Sequence, residues 1–145
     1  MNGVIESQMF QPIVALTIWT MVMWAWMYAT RIPAMTRLNV DADSIARDPA
    51  ASLDHQLPAN VQWKAHNYNH LHEAPTVFYA IALVLILIGQ GDGLNALLAW
   101  IYVGLRVIHS IVQVTANKVL VRFILFALSS VVLIALVVKA ALAVF

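Results

Sequence analysis

The chain contains no cysteine, which removes disulfide frameworks, thiol nucleophiles and zinc–thiolate centres together. Charge is also scarce. Only 10% of the 145 residues are Asp, Glu, Lys or Arg, against about 25% in a soluble domain. The two signs nearly cancel to a net charge of +1, so nothing marks a nucleic-acid binder. A Ser–His–Asp hydrolase lacks support too: no G-x-S-x-G occurs, and every aspartate falls in one of two polar connections. What the chain does have is apolar surface: 62% of residues are hydrophobic and the mean hydropathy is +0.81.

A membrane span needs about 20 mostly apolar residues, and four stretches approach that length. They run over about residues 10–30, 74–90, 94–113 and 122–138. The first carries no charge until Arg31 closes it. It is too long for a signal-peptide core, has no basic residue before it, and is followed by a poor cleavage site, so it reads as a retained span. Trp19, Trp24 and Trp26 are scattered along it, as packing or lipid contacts rather than an ordered aromatic belt. With the backbone satisfied internally in lipid, the fold class is all-α: one integral membrane four-helix bundle over residues 1–145.

The connections differ sharply. Residues 31–66 are polar, and Pro33, Pro49 and Pro58 argue against one continuous helix there. "GQGDG" is a tight turn that makes spans two and three antiparallel neighbours, and "TANK" is equally short. Arg31, Arg37, Arg47 and Lys64 lie in the first connection and Lys118 in the third, with Arg122 at its edge. The opposite side carries only Lys139. Basic residues near span ends favour the cytoplasm, so the expected topology is multi-pass with both termini non-cytoplasmic. Four aspartates balance the first connection, which reads as a solvated cap.

That topology sends the strong polar groups to one depth. Glu73 opens span two, Arg106, His109 and Gln113 occupy the inner half of span three, Arg122 opens span four and Arg31 ends span one. Tyr102, Arg106, His109 and Gln113 share one helical face, and His66, Asn69, His70 and Glu73 form a stripe leading into span two. Arg106 lies roughly 10 Å from the end of its span at about 1.5 Å per residue. A charge at the centre of a bilayer costs at least about 2.5–3.5 kcal/mol, so Arg106 is expected to face a partner, with Glu73 the candidate. Snorkelling at span ends accounts for Arg31, Lys118 and Arg122 taken singly. Ser129 and Ser130 read as helix packing or back-bonding.

Three arginines around one glutamate suit a small molecule with two carboxylates and one ammonium. Arginine grips carboxylates as a fork, and such a site also favours a thiolate over a thiol. The His66, His70, Glu73 spacing invites a metal reading, but the H-E-x-x-H order is missing and no second helix supplies a ligand. No metal site is assigned.

These residues resemble the MAPEG family, the membrane-associated proteins in eicosanoid and glutathione metabolism, in a bacterial-type member. The likeness covers essentially the whole chain. It is most specific in "HLHEAP" entering span two, "GLRVIHS" in span three, and Arg122 sixteen residues beyond Arg106. It implies a homotrimer that binds glutathione as co-substrate between subunits. By the same resemblance Arg122 and Arg31 are the catalytic candidates, and Glu73, Arg106, His109, Gln113, Asn69 and His70 the cofactor-binding ones. The chain departs from the eicosanoid-forming branch at three places. Lys64, His66 and Asn67 stand where that branch has arginines one and two turns before Glu73. His70 stands where that branch has Asn, and Gln113 stands where its best-known enzymes have Tyr, leaving no phenol there. Two main readings remain. One is a glutathione-dependent transferase or peroxidase acting on a small lipophilic substrate drawn from membrane lipid. The other is a non-catalytic relative that binds a lipid or anionic metabolite. A transporter is less supported, as no span carries an internal Gly/Pro break.

Overall fold

The computed structural model describes residues 6–48 and 52–145. Among the described residues seven helices follow one another: α1 Phe10–Arg37, α2 Ala42–Arg47, α3 Leu53–Gln56, α4 Ala59–His70, α5 Ala74–Leu87, α6 Leu94–Thr115 and α7 Val119–Val144. Among the described residues four helical units are long and apolar enough to cross a membrane: α1, the run Ala59–Leu87 formed by α4 and α5, α6 and α7.

Span two ends earlier than read, at Leu87, and span four runs longer, over Val119–Val144; two larger differences from the sequence reading each have a physical reason. The first span does not stop at residue 30. α1 continues over Pro33 to Arg37, because one lost N–H does not outweigh the remaining helical bonds of a 28-residue helix. It ends where Asn39 turns left-handed at φ 48°, and Leu38 N–H and Asn39 N–H bond Ala34 O and Thr36 O. Nor is 31–66 a loop throughout. It holds α2, α3 and most of α4, with Pro58 at the start of α4. Pro49 lies outside the described residues.

α4 and α5 are one membrane-crossing unit interrupted at Leu71–Glu73. Pro75 sits in the first turn of α5, where its missing N–H costs nothing. The interruption leaves the last carbonyls of α4 without helical partners, and it is here that the polar residues gather.

α6 is the hub. Of its apolar window 44% is buried, against 17% for α7. It packs along α7, α1 and α4, and Phe78 of α5 stacks on its Tyr102 at 4.6 Å. Leu16, Met23, Leu85 and Leu136 complete the core around those rings. The outer faces of α1 and α7 remain apolar and uncovered, with Ile18, Val22, Phe123, Val131 and Ile134 exposed. Such surfaces suit lipid tails or another helix rather than water.

The turn between α5 and α6 closes one end of the bundle. Gly93 takes φ +59°, a conformation open to glycine. A Cβ on Gly91 would fall 2.1 Å from Ser7 Oγ, so the N-terminal segment docks against bare backbone. Ser7 Oγ and Met9 N–H both donate to Gly91 O, at 3.0 and 3.1 Å, and Gln8 N–H donates to Asp92 Oδ1 at 2.7 Å.

Candidate functional site

The opposite end is built differently. α6 turns Tyr102, Arg106, His109, Ser110 and Gln113 inward, all of them buried. Spacings of three and four residues hold them on one face, so that part of the sequence reading is realised in the packing. Arg106 is 1% exposed. Its Nη2 donates to the carbonyl of His70 at 3.1 Å, joining the Glu73 N–H, 3.4 Å away, on the same acceptor at the break after α4. Its guanidinium also lies 6.0 Å from the Phe126 ring of α7, at the edge of cation–π range. Nε and Nη1 are buried and have no partner.

Glu73 does not pair with Arg106, contrary to expectation. Its Oε2 lies 2.5 Å from His70 Nδ1, three residues earlier in the chain. The break rotates Glu73 off the helical stripe, so its side chain is 65% exposed while His70 is the half-buried member. Local geometry has taken the carboxylate that the long-range ion pair needed.

His70, His109 and Arg122 meet at a cavity of about 240 Å³, completed by Val119, Phe123 and Phe126. The two imidazoles are 5.0 Å apart, and His70 lies 5.7 Å from the Phe126 ring. Arg122 Nη1 donates to Asn117 Oδ1 at 2.6 Å and its Nε is buried without a partner. Arg122 is thus tethered by the short α6–α7 turn, where Asn117 itself takes φ 48°.

The other expected site residues separate. Gln113 is buried one turn beyond His109, with Oε1 unpartnered. Asn69 is exposed, and His66 turns outward to Asp54 at 3.0 Å. The stripe of His66, Asn69, His70 and Glu73 therefore does not face the bundle as a unit. Arg31 lies on α1, which packs against α4 and α6, whereas the cavity opens between α6 and α7. Its Nε is buried and unpartnered, but Arg31 does not line the cavity. Ser129 and Ser130 both donate to Phe126 O at 2.9 Å. Among the described residues no three His, Asp or Glu side chains gather as a metal-ligand set.

Sequence reading missed Asn67 and Ser110. Asn67 is fully buried and its Nδ2 donates to Ser110 Oγ at 2.5 Å, joining α4 to α6. The signal was faint but present: Ser110 is four residues from Arg106 and so shares its face, and Asn67 is four residues before Leu71, which is also buried.

Near one end of an apolar helical bundle, Arg31, Arg106 and Arg122 each have a buried guanidinium nitrogen without a partner, and the four long apolar units are of a length to cross a membrane. A model of the MAPEG family matches residues 9–142. The chain belongs to the MAPEG family and is an integral, multi-pass membrane protein of the type associated with eicosanoid and glutathione metabolism. No curated protein and no solved structure matches it.

Proposed function

We propose that the chain is a glutathione-dependent membrane enzyme, of the transferase or peroxidase type, acting on a lipophilic electrophile that arrives through the bilayer. The observation that carries this reading is Arg106: a guanidinium 1% exposed in an apolar bundle, with two nitrogens and no acceptor for either. A buried cation in that state seeks an anionic ligand, because an unmet charged donor costs more than a neutral one. Glutathione offers two carboxylates, one ammonium and a thiol, and the residues fit it. Arg106 would hold a carboxylate. Glu73 keeps Oε1 for the ammonium while Oε2 serves His70. Arg122 would stabilise the sulfur as thiolate, raising the fraction able to attack. His109, Gln113, Asn69 and His70 would line the peptide.

One chain is too little for the whole ligand. The cavity of about 240 Å³ falls below the roughly 300–1,000 Å³ of small-molecule sites, and Arg31 is not in it. A homotrimer would supply both the missing wall and Arg31, from α1 of a neighbouring copy. In the membrane we place the arginine-rich end at the cytoplasmic face and both termini outside, following the basic residues. The substrate would reach Val119, Phe123 and Phe126 from lipid.

A second reading has its own observation. Gln113 supplies no phenol, and the hydroxyl of Tyr102, on the same face, is buried without a partner behind its stack on Phe78. That favours a scaffold that binds glutathione, a lipid or another anionic metabolite without turnover. If the missing phenol alone limits the rate, Gln113→Tyr raises it. An unchanged rate in a variant that still binds removes that explanation.

Calorimetry of the detergent-purified protein with glutathione, with thiolate absorbance followed in parallel, separates the two. Binding with a thiolate band supports the enzyme. Binding without one supports the scaffold, and no binding removes glutathione from both.

A further inference from the structure

Arginines that stabilise a thiolate leave a question of proton balance. A guanidinium lowers the pKa of a thiol but does not accept its proton, since it stays protonated throughout the working range. The cavity beside Arg122 opens onto Val119, Phe123 and Phe126, none of which is a base. The proton needs a destination, and two imidazoles line that cavity.

They are not equivalent. His70 has a carboxylate on Nδ1, the 2.5 Å contact with Glu73 Oε2. An acceptor there fixes the tautomer with the proton on Nδ1 and a free lone pair on Nε2. Among the described residues Nε2 has no hydrogen-bond partner and is not one of the buried unsatisfied atoms, and the ring lines the cavity it shares with Arg122. His109 at 5.0 Å and Phe126 at 5.7 Å flank it, so the orientation is held from two sides. His109 has no carboxylate on either nitrogen to choose a tautomer. The charged and titratable groups facing His70 are Glu73 beside it, Arg106 and His109 on α6, and Arg122 on α7.

We infer that His70, oriented by Glu73, is the base that receives the thiol proton. This rests on the glutathione reading above. In the forward step His70 Nε2 takes the proton as the S–H bond breaks, and the electron pair stays on sulfur beside Arg122. The sulfur then forms its bond to the electrophilic carbon, and the leaving group departs with the electron pair of the bond that breaks. His70 returns its proton to that group, so the enzyme ends as it began. Nucleophile, base and orienting carboxylate would stand in the order familiar from activated thiols and hydroxyls, with the nucleophile supplied by the substrate.

The decisive readout is a proton count. Glutathione is titrated into the purified protein by calorimetry in several buffers of different ionisation enthalpy, at a pH where His70 is neutral before binding, with thiolate absorbance measured on the same samples. S-methylglutathione, which has no thiol proton, reports binding alone. If His70 receives the proton, thiolate forms with far less than about one proton released per bound peptide. His70→Gln, compared per peptide bound whatever its affinity for S-methylglutathione, then either forms no thiolate or releases about one proton for each one formed. A full proton released by the wild type, or a His70→Gln variant matching it in both band and count, overturns the inference. So does glutathione bound as thiol, although binding itself then stands. Failure of both peptides to bind sinks the glutathione reading instead. Should His70→Gln misfold, the wild-type count decides alone. Glu73→Gln provides a second variant, expected to give a smaller thiolate band per peptide bound.

Discussion

The two ends of the bundle carry polar groups under opposite rules. At the α5–α6 turn they are spent locally. Ser7, Gln8 and Met9 bond to Gly91 and Asp92, and Asn95 Nδ2 donates to Gln90 O at 2.8 Å. At the other end Arg106 Nε and Nη1, Arg122 Nε, Arg31 Nε and Gln113 Oε1 are buried with no partner. A protein normally satisfies such groups; at the α5–α6 end Asn95 Oδ1 is also buried without a partner, but among the described residues no unpartnered guanidinium lies there. The unsatisfied end is the one with a cavity lined by Arg122 and two histidines. On the function proposed above, the unpartnered donors there would be met by a ligand.

Substitutions at each end should therefore fail differently. The largest effect belongs to Arg106→Ala, which removes two ligand-facing donors and the cap on His70 O. With roughly 1.5–3 kcal/mol for each hydrogen bond to a charged group, glutathione affinity should fall about 100-fold or more, while size-exclusion shows the oligomer intact. An unfolded variant would instead make Arg106 a structural prop for the α4–α5 break. Gly91→Ala should show the reverse. Its Cβ would meet Ser7 Oγ, costing about 1–3 kcal/mol by overpacking and lowering the melting temperature in detergent, with glutathione affinity unchanged. Weakened binding there would mean that the two ends are coupled. Asn67→Ala removes the bond to Ser110 Oγ, and denaturation should read a loss of about 1 kcal/mol. Smallest is His66→Ala. Its contact with Asp54 is half exposed, so stability should change by no more than about 0.5 kcal/mol and binding not at all.

Some of the site was readable before any coordinates. A buried arginine and histidine on one face of a long apolar helix follow from spacing, and Arg106 and His109 lie where that spacing puts them. Glu73 and Asn69 do not, because a helical stripe assumes an unbroken helix, and α4 stops at His70. Three residues of turn are enough to rotate a carboxylate from a distant arginine to a neighbouring histidine. Asn67 lies beside that stripe rather than on it, and only the packing of α4 on α6 brings it to Ser110. Pro33 misled in the other direction, since a proline near a helix end was read as a stop when the helix had enough bonds to continue.

Composition and period by themselves determined the large-scale form. Apolar runs of membrane length, separated by connections of unequal size, leave helices as the backbone solution, and the arrangement of basic residues separates the two ends. These properties are sums over many residues, so no single local error disturbs them. The tertiary structure alone decided who meets whom at the polar end: Arg106 with the His70 carbonyl, Glu73 with the His70 ring, Asn67 with Ser110, and Arg31 away from the cavity that holds Arg122. Hydrogen bonds act over about 3 Å, and a turn of one interrupted helix moves a side chain farther than that.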